Sequence, residues 1–346
     1  MRAITVQPGQ TGSLRVQDVP EPAPGDGAVL VQGVALGVCG TDREIAAGEY
    51  GWAPEGRERL VLGHESLGRV LEAPADAGVA AGDLVVGIVR RPDPVPCQCC
   101  AAGRFDLCRN GRYTERGIKA RDGYGSERWR VEPDYVVRLE PQLDLVGVLL
   151  EPASVVAKAW DVASDALARA HVEPRTALIT GAGPIGLLAA LLGVQRGLAV
   201  RVLDRVTGGP KPELVRELGA GYHTGAIADT GEPVDVVMEC TGVGQLVFDA
   251  MAATAAPGVV CLTGVSPAGR RIEVDAGALN RALVLENDAV IGSVNAARHH
   301  YQQAAAALAR ADRGWLERLI TRRVALDDCA AAFDAGGDDI KAVVEL

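Results

Sequence analysis

No run in this chain reaches the roughly 18–20 uninterrupted apolar positions that a membrane-spanning helix needs, although hydrophobic residues make up 48% of its 346 residues. The opening, MRAITVQPGQTGSLRV, lacks the apolar core of a signal peptide. A soluble, cytoplasmic protein is the expectation. Clustered basic residues are missing as well: of 35 basic residues only Lys119, Lys158, Lys211 and Lys341 are lysines, set against 45 acidic ones and a formal charge of −10. Nucleic acid or an anionic membrane would require a concentrated positive surface, so neither is expected as a partner. Internal repeats and low-complexity segments are also absent, and the length allows two domains with separate cores.

Eight cysteines are present, and in a reducing compartment they read as metal ligands or core residues rather than disulfides. Cys97, Cys99, Cys100 and Cys108 crowd into a dozen positions and Cys39 sits in a glycine-rich turn, while Cys240, Cys261 and Cys329 lie among apolar or small residues and read as core.

Up to about Leu150 the chain shows short Val-rich runs such as AVLVQGVALGV and GDLVVGIV, broken by Gly and Pro, as expected of a strand-rich domain with few helices. From there the pattern changes. SVVAKAWDVASDALARA has helical spacing, and TALITGAGPIGLLAALLGVQRGLAVRVLDR reads strand, glycine turn, helix, strand. KPELVRELGA and QLVFDAMAATAA read as helices and VDVVMECTG, GVVCLTGV and AVIGSVNA as strands, the alternation of a doubly wound parallel sheet. HYQQAAAALARA closes as a helix, and IKAVVEL is strand-like and is expected to return to the first domain. The expected division is 1–155 with 297–346 as one domain and 156–296 as the other.

Gly181, Gly183 and Gly186, with Pro184 and Ile185 between them, form GxGxxG after an apolar strand and before an Ala/Leu helix. The glycines allow a tight turn, close approach of a pyrophosphate and close packing of helix on strand. Asp204 ends the next strand, where an acid bonds the adenosine ribose and favours NAD; Arg205 beside it could pair with a 2′-phosphate and favour NADP. NAD is the preferred reading, with NADP the alternative. Thr241, Leu262, Thr263 and Val265 end later strands on the side expected to meet the nicotinamide.

Cys39, followed by His64 and Glu65 and much later by Glu151, supplies a thiolate, an imidazole and carboxylates, the donor set of a catalytic zinc with an open position. C-G-T-D, G-H-E and E-P at these separations, followed by a Rossmann unit, resemble the zinc-dependent medium-chain alcohol dehydrogenases over essentially the whole chain. GTDREI, LGHE, RRP, GRFDLC, TERGI, DGYGSE and GSVNA resemble the glucose (aldose) dehydrogenase branch. The resemblance implies an α/β fold with a GroES-like strand-rich catalytic domain and a Rossmann domain, a catalytic zinc, and a homodimer or homotetramer whose contact could use AVIGSVNA and the preceding LVLEN segment.

By the same resemblance Cys39 and His64 bind zinc, Glu65 and Glu151 alternate as or assist the remaining ligands, Thr41 starts the proton relay, and Asp42 orients His64. A second, structural zinc is implied by RRPDPVPCQCCAAGRFDLC, but the usual spacing falls on Pro94, Cys97, Cys100 and Cys108, and proline cannot ligate. Cys99 could complete the set, Asp93 could do so with a longer first gap, or the lobe could hold no metal. Glu115, within Tyr113 to Ile118, is placed over the sugar ring, and Ser293, Asn295 and nearby His299 near nicotinamide and substrate. Ala157 stands where the branch has an acid. The implied reaction is oxidation of a sugar hydroxyl, C1 of an aldose such as glucose, with hydride transfer to NAD(P). The alternatives are oxidation of a polyol or cyclitol to a ketone, or a zinc-free nucleotide-binding relative.

Overall fold

The computed structural model describes residues 1–267, 269, 271–334, 336 and 339–346. The chain divides into two compact units, one formed by Met1–Ser154 and Asn295–Leu346, the other by Val155–Val294.

The first unit is built around the strand Val29–Val38, VLVQGVALGV, whose residues alternate between buried and half-buried before becoming buried on both faces over its last four positions. Alternating β-branched residues favour such a pleated strand, and continuous burial marks the stretch where both faces are covered. Glu65–Glu72 pairs with it antiparallel on one side and Lys341–Glu345 antiparallel on the other. The full order is Val136–Arg138, Leu84–Gly87, Glu65–Glu72, Val29–Val38, Lys341–Glu345, Ile320–Ala325, with Arg128–Val131 also pairing to the central strand. The register places Glu65 opposite Gly37 and Ala342 opposite Val38. Two segments far apart in sequence therefore meet at the end of one strand, immediately before Cys39. Ile4, Val31, Leu36, Tyr124, Trp129 and Val344 lie in the core beneath, where Tyr124 and Trp129 meet with ring centroids 4.7 Å apart. The short helix Gly40–Ala46 follows the central strand.

The second unit carries a six-stranded, wholly parallel sheet in the order Gly221–His223, Ala199–Leu203, Thr176–Thr180, Val234–Glu239, Thr254–Leu262, Ala289–Gly292. Strand order reverses beside Thr176–Thr180, the switch point at which such sheets receive ligands. The helices Pro184–Gln195, Pro210–Glu217, Gly244–Ala250 and Ala276–Glu286 connect the strands. Two expectations are corrected. The helix expected through QLVFDAMAATAA stops at Ala250, and Thr254 already begins the next strand, because its β-branched side chain and the following apolar run join the sheet. LVLEN, a candidate contact segment, takes part not as a strand but as the end of the helix Ala276–Glu286, closed by Asn287 in the left-handed conformation at φ 59°. Among the described residues no helix is long and apolar enough to cross a membrane.

Candidate metal centre and dinucleotide site

The metal centre grows out of the end of the strand Val29–Val38. Cys39 precedes the helix Gly40–Ala46, and Asp42, in its first turn, accepts the Cys39 backbone N–H through Oδ2 at 3.0 Å. The other Asp42 oxygen, Oδ1, lies 3.2 Å from His64 Nδ1. With Nδ1 turned to a carboxylate, His64 presents Nε2 outward, and Nε2 stands 3.1 Å from the Cys39 sulfur. Ligand atoms of Cys39, His64 and Glu65 all lie within 4.8 Å of one another. Glu151, at the start of the helix Leu150–Ala168, is buried nearby but outside that group. Thr41 is half-buried in the first turn of the helix after Cys39.

Electrostatics follow from burial and crowding. Burial opposes charge on His64, yet Asp42 and Cys39 together hold its pKa well above the ordinary value. Burial pushes the Cys39 thiol up, against the pull of His64. Burial opposes the charge of Asp42 as well, but His64 brings its pKa below normal. The Glu151 carboxyl is pushed up to about 7, first by burial, with His64 pulling it down and Glu65 pushing it up. A thiol and an imidazole nitrogen in contact, backed by three carboxylates, form a donor set that a dication fits, since its charge would relieve the cost of burying so many anions.

Lys341 was not singled out from the sequence. Its ammonium, 2% exposed, contacts Glu65 Oε1 at 2.6 Å and Oε2 at 2.5 Å, and donates to the Val38 carbonyl at 3.3 Å. A lone lysine at the head of the apolar run Ala342–Val344 is the available signal, because a buried ammonium demands a partner.

Glu115 is buried and already paired. Its Oε1 accepts from Arg90 Nε and Nη2, each at 3.0 Å, and from Asn295 Nδ2 at 2.9 Å. Arg90 also donates to the Asp106 carbonyl at 2.8 Å and lies 3.9 Å from the Tyr113 ring centroid. One oxygen is taken by Arg90 and Asn295, and Oε2 carries none of these bonds. Asn295 adopts φ 61° and turns its own Oδ1 to the Ala296 N–H.

In the cysteine lobe, the sulfurs of Cys97, Cys100 and Cys108 come together, with Cys97 and Cys100 3.7 Å apart. Cys99 does not join them. It neighbours Cys100 on the short helix Gln98–Ala101, and successive helical side chains point about 100° apart. Asp93 is held within the protein: Oδ1 accepts from Val95 N at 2.8 Å and Oδ2 from Arg112 Nε at 3.0 Å. The N–H of Arg109 and then that of Cys100 lower the Cys97 thiol to about 6, while loss of water raises Cys100 to about 11. Three thiolates fit a thiophilic ion whose fourth position the group leaves open.

In the second unit, Gly181 turns the chain at φ 87°, and a Cβ on Gly186 would lie 1.8 Å from the Gly181 carbonyl oxygen, so neither position accepts another residue without displacement. Gly183 caps the helix that Pro184 and Ile185 begin, leaving its first N–H groups for an anion. Asp204 points back into this turn: Oδ2 accepts from Ala182 N at 2.6 Å and Oδ1 from Val206 N at 2.9 Å. The ribose acceptor expected there is thus engaged by backbone, while Arg205 is exposed. Thr241, Thr263 and the Thr180 hydroxyl gather on Glu239, a fully buried residue overlooked in the sequence. Its Oε1 accepts from Thr241 N at 2.7 Å, the Thr241 hydroxyl and the Thr180 hydroxyl at 3.2 Å, and its carbonyl accepts from Thr263 Oγ1 at 2.9 Å. Leu262 ends its strand, Val265 is exposed, and Ser293 is buried with its hydroxyl without a hydrogen-bond partner among the described residues.

The description "Glucose dehydrogenase C-terminus" matches residues 144–346, and "Alcohol dehydrogenase GroES-like domain" matches residues 25–141. A glucose 1-dehydrogenase of Methanocella arvoryzae is 40% identical, the match covering 100% of this chain and 99% of the relative. One from Thermoproteus tenax is 40% identical at the same coverage. Among solved structures, a Haloferax mediterranei glucose dehydrogenase in complex with NADP, Zn and gluconolactone matches with a TM-score of 0.91 at 35% identity, over 100% of this chain and 99% of that one. Residues 144–346 alone exceed half the chain, and with relatives of this identity along its full length the chain belongs to the glucose dehydrogenase family, with an alcohol dehydrogenase GroES-like domain in its first unit.

Proposed function

We propose that this protein oxidises an aldose at C1 to the lactone, passing hydride to NADP or NAD and a proton to solvent, with zinc held by Cys39, His64 and the carboxylates Glu65 and Glu151. The observation that carries this reading is the Cys39 sulfur facing His64 Nε2 at 3.1 Å while Asp42 stands behind Nδ1, in a chain whose Haloferax relative was solved with NADP, Zn and gluconolactone. When bound, zinc supplies Lewis-acid polarisation of the reacting hydroxyl and the nicotinamide accepts the hydride.

The chain's own residues do the rest. Asp42 fixes the His64 tautomer and ring orientation. Thr41 Oγ1 takes the proton leaving the C1 hydroxyl and hands it outward. Glu115 receives a ring hydroxyl on Oε2, its other oxygen being fixed by Arg90 and Asn295, and discrimination arises because a sugar lacking that hydroxyl leaves a buried carboxylate oxygen unpaired. Gly181, Gly183 and the first turn of Pro184–Gln195 take the pyrophosphate. With Asp204 engaged by two backbone N–H groups and Arg205 exposed beside it, a 2′-phosphate is accommodated, which supports NADP. A second copy of the chain would pair along the strand Ala289–Gly292, the outermost of its sheet.

The test is turnover of purified protein on aldoses, polyols and cyclitols with NADP and NAD in parallel, with the product identified by NMR. Lactone formation that Cys39→Ser abolishes is expected. A ketone product, or full turnover by Cys39→Ser, would overturn the proposal.

A further inference from the structure

The first unit holds a cavity of about 760 Å3 bounded by the stretch 19–26, by Arg57, and by the strands Ala120–Arg121 and Arg128–Val131. Five arginines line it, Arg57, Arg116, Arg121, Arg128 and Arg130, against three carboxylates, Glu21, Asp26 and Asp122. That is an excess of two positive charges, in a chain whose formal charge is −10. Four of the five guanidiniums are answered by an acid: Arg57 by Asp122, Arg121 by Glu132, Arg128 by Glu21, and Arg130 by Glu72 at 3.7 Å. Arg116, the most deeply buried of them at 5% exposed, has no acid partner among the described residues. Its Nη1 donates to the Asp122 carbonyl at 3.2 Å and its Nη2 to the Asp26 and Arg130 carbonyls at 3.4 and 2.7 Å, while Nε has no partner among the described residues. Carbonyls orient a guanidinium but carry no net charge to offset it, and buried charges are otherwise paired. Loss of water accordingly brings Arg116 below its ordinary pKa.

We propose that this cavity binds a phosphate dianion, carried by a small ester or free, with Arg116 as its buried anchor and Arg57 at its rim. A guanidinium's fork of N–H donors matches phosphate oxygens, and two negative charges balance the lining excess. The volume falls within the roughly 300–1,000 Å3 of small-molecule pockets, which leaves room for the body of an ester beyond its phosphate. Strand alternation keeps this site apart from the metal centre. On Thr114–Arg116 successive side chains point to opposite faces: Glu115 turns to Arg90 and Asn295, and Arg116 to the carbonyls at the cavity wall.

The experiment titrates the full-length protein by calorimetry with phosphoenolpyruvate in one series and inorganic phosphate in another. NADP is kept saturating in both, so that the pyrophosphate turn of the second unit is already filled. Saturation at one site per chain is expected, with affinity lowered at least tenfold in Arg116→Met and at least threefold in Arg57→Glu. Tighter binding of phosphoenolpyruvate than of phosphate assigns the site to an ester; equal or weaker binding assigns it to free phosphate. No saturable binding of either probe overturns the proposal. Binding that either variant leaves within twofold of wild type does so as well, and because the Arg57 side chain is 61% exposed, that arm stays readable where Arg116→Met fails to fold.

Discussion

Replacing Asp42 by asparagine changes one oxygen to an amide and should damage the metal centre about as much as deleting the side chain. Asp42 has two duties: Oδ2 accepts the Cys39 N–H at 3.0 Å and Oδ1 stands 3.2 Å from His64 Nδ1. An asparagine has one acceptor oxygen. If that oxygen stays on the Cys39 N–H, its NH2 faces Nδ1, which must then accept, so the imidazole proton moves to Nε2 and blocks the atom that faces the Cys39 sulfur. If the amide flips, the ligating tautomer returns but the Cys39 N–H loses its acceptor, at about 1–3 kcal/mol, or roughly 5- to 150-fold in metal affinity by the usual 1.36 kcal/mol per decade. Loss of the carboxylate behind a ligand histidine adds about 10- to 100-fold by itself. Asp42→Asn should therefore weaken zinc binding by roughly 100-fold or more. Asp42→Ala imposes no tautomer but loses both acceptors, so it should weaken zinc binding by a similar factor, with about 0.5–2 kcal/mol of stability from the lost capping box. Competition against a chromophoric chelator at fixed pH measures both. Zinc binding by Asp42→Asn within threefold of wild type would refute the tautomer argument.

Two further outcomes follow from the same geometry. Elemental analysis should find that Cys97→Ser loses the ion of the cysteine lobe while Cys99→Ala keeps it, because only Cys97, Cys100 and Cys108 converge; equal losses would show that Cys99 ligates. Glu132, whose Oε2 accepts from Arg91 and Oε1 from Arg121, has its pKa brought down to about 2 from 4.5: burial opposes this, but the Arg91 bonds prevail. A depressed carboxylate stabilises the fold above its unfolded pKa and loses that contribution as pH falls towards 2. With the side chain 34% exposed, solvent screening limits it to about 1 kcal/mol. Urea midpoints of Glu132→Gln and wild type should differ at pH 7 and converge near pH 2; a constant gap would contradict this.

Much of the fold was legible because its signals are local. The strand, glycine turn and helix around Gly181 lie within some thirty residues, and each glycine meets a steric demand that the structure shows, as at Gly186 against the Gly181 carbonyl. The pairing of Cys39 with His64 and Glu65 was legible as a donor set joined to that turn. What escaped depends on contacts across long sequence separations. Lys341 reaches Glu65 across 276 residues and Asn295 reaches Glu115 across 180, and no spacing rule connects such pairs. Asp204 was read by position alone, whereas its oxygens turn to Ala182 and Val206. In the lobe the spacing left Cys99 and Asp93 open; the structure sets Cys99 apart from the three converging sulfurs and engages Asp93 with Val95 and Arg112.

The central strand of the first unit also sets a timetable for synthesis. Val38 and its lysine neighbour across the sheet are 303 residues apart, with the whole second unit encoded between them. At about 5–20 residues per second on the ribosome, one side of Ala35–Val38 waits roughly 15–60 s for its partner, bearing unpaired backbone groups of the kind that recruit foreign strands. Yield of this protein in a cell should thus respond to translation speed and chaperone supply through that one vacant flank, whatever the stability of the finished molecule.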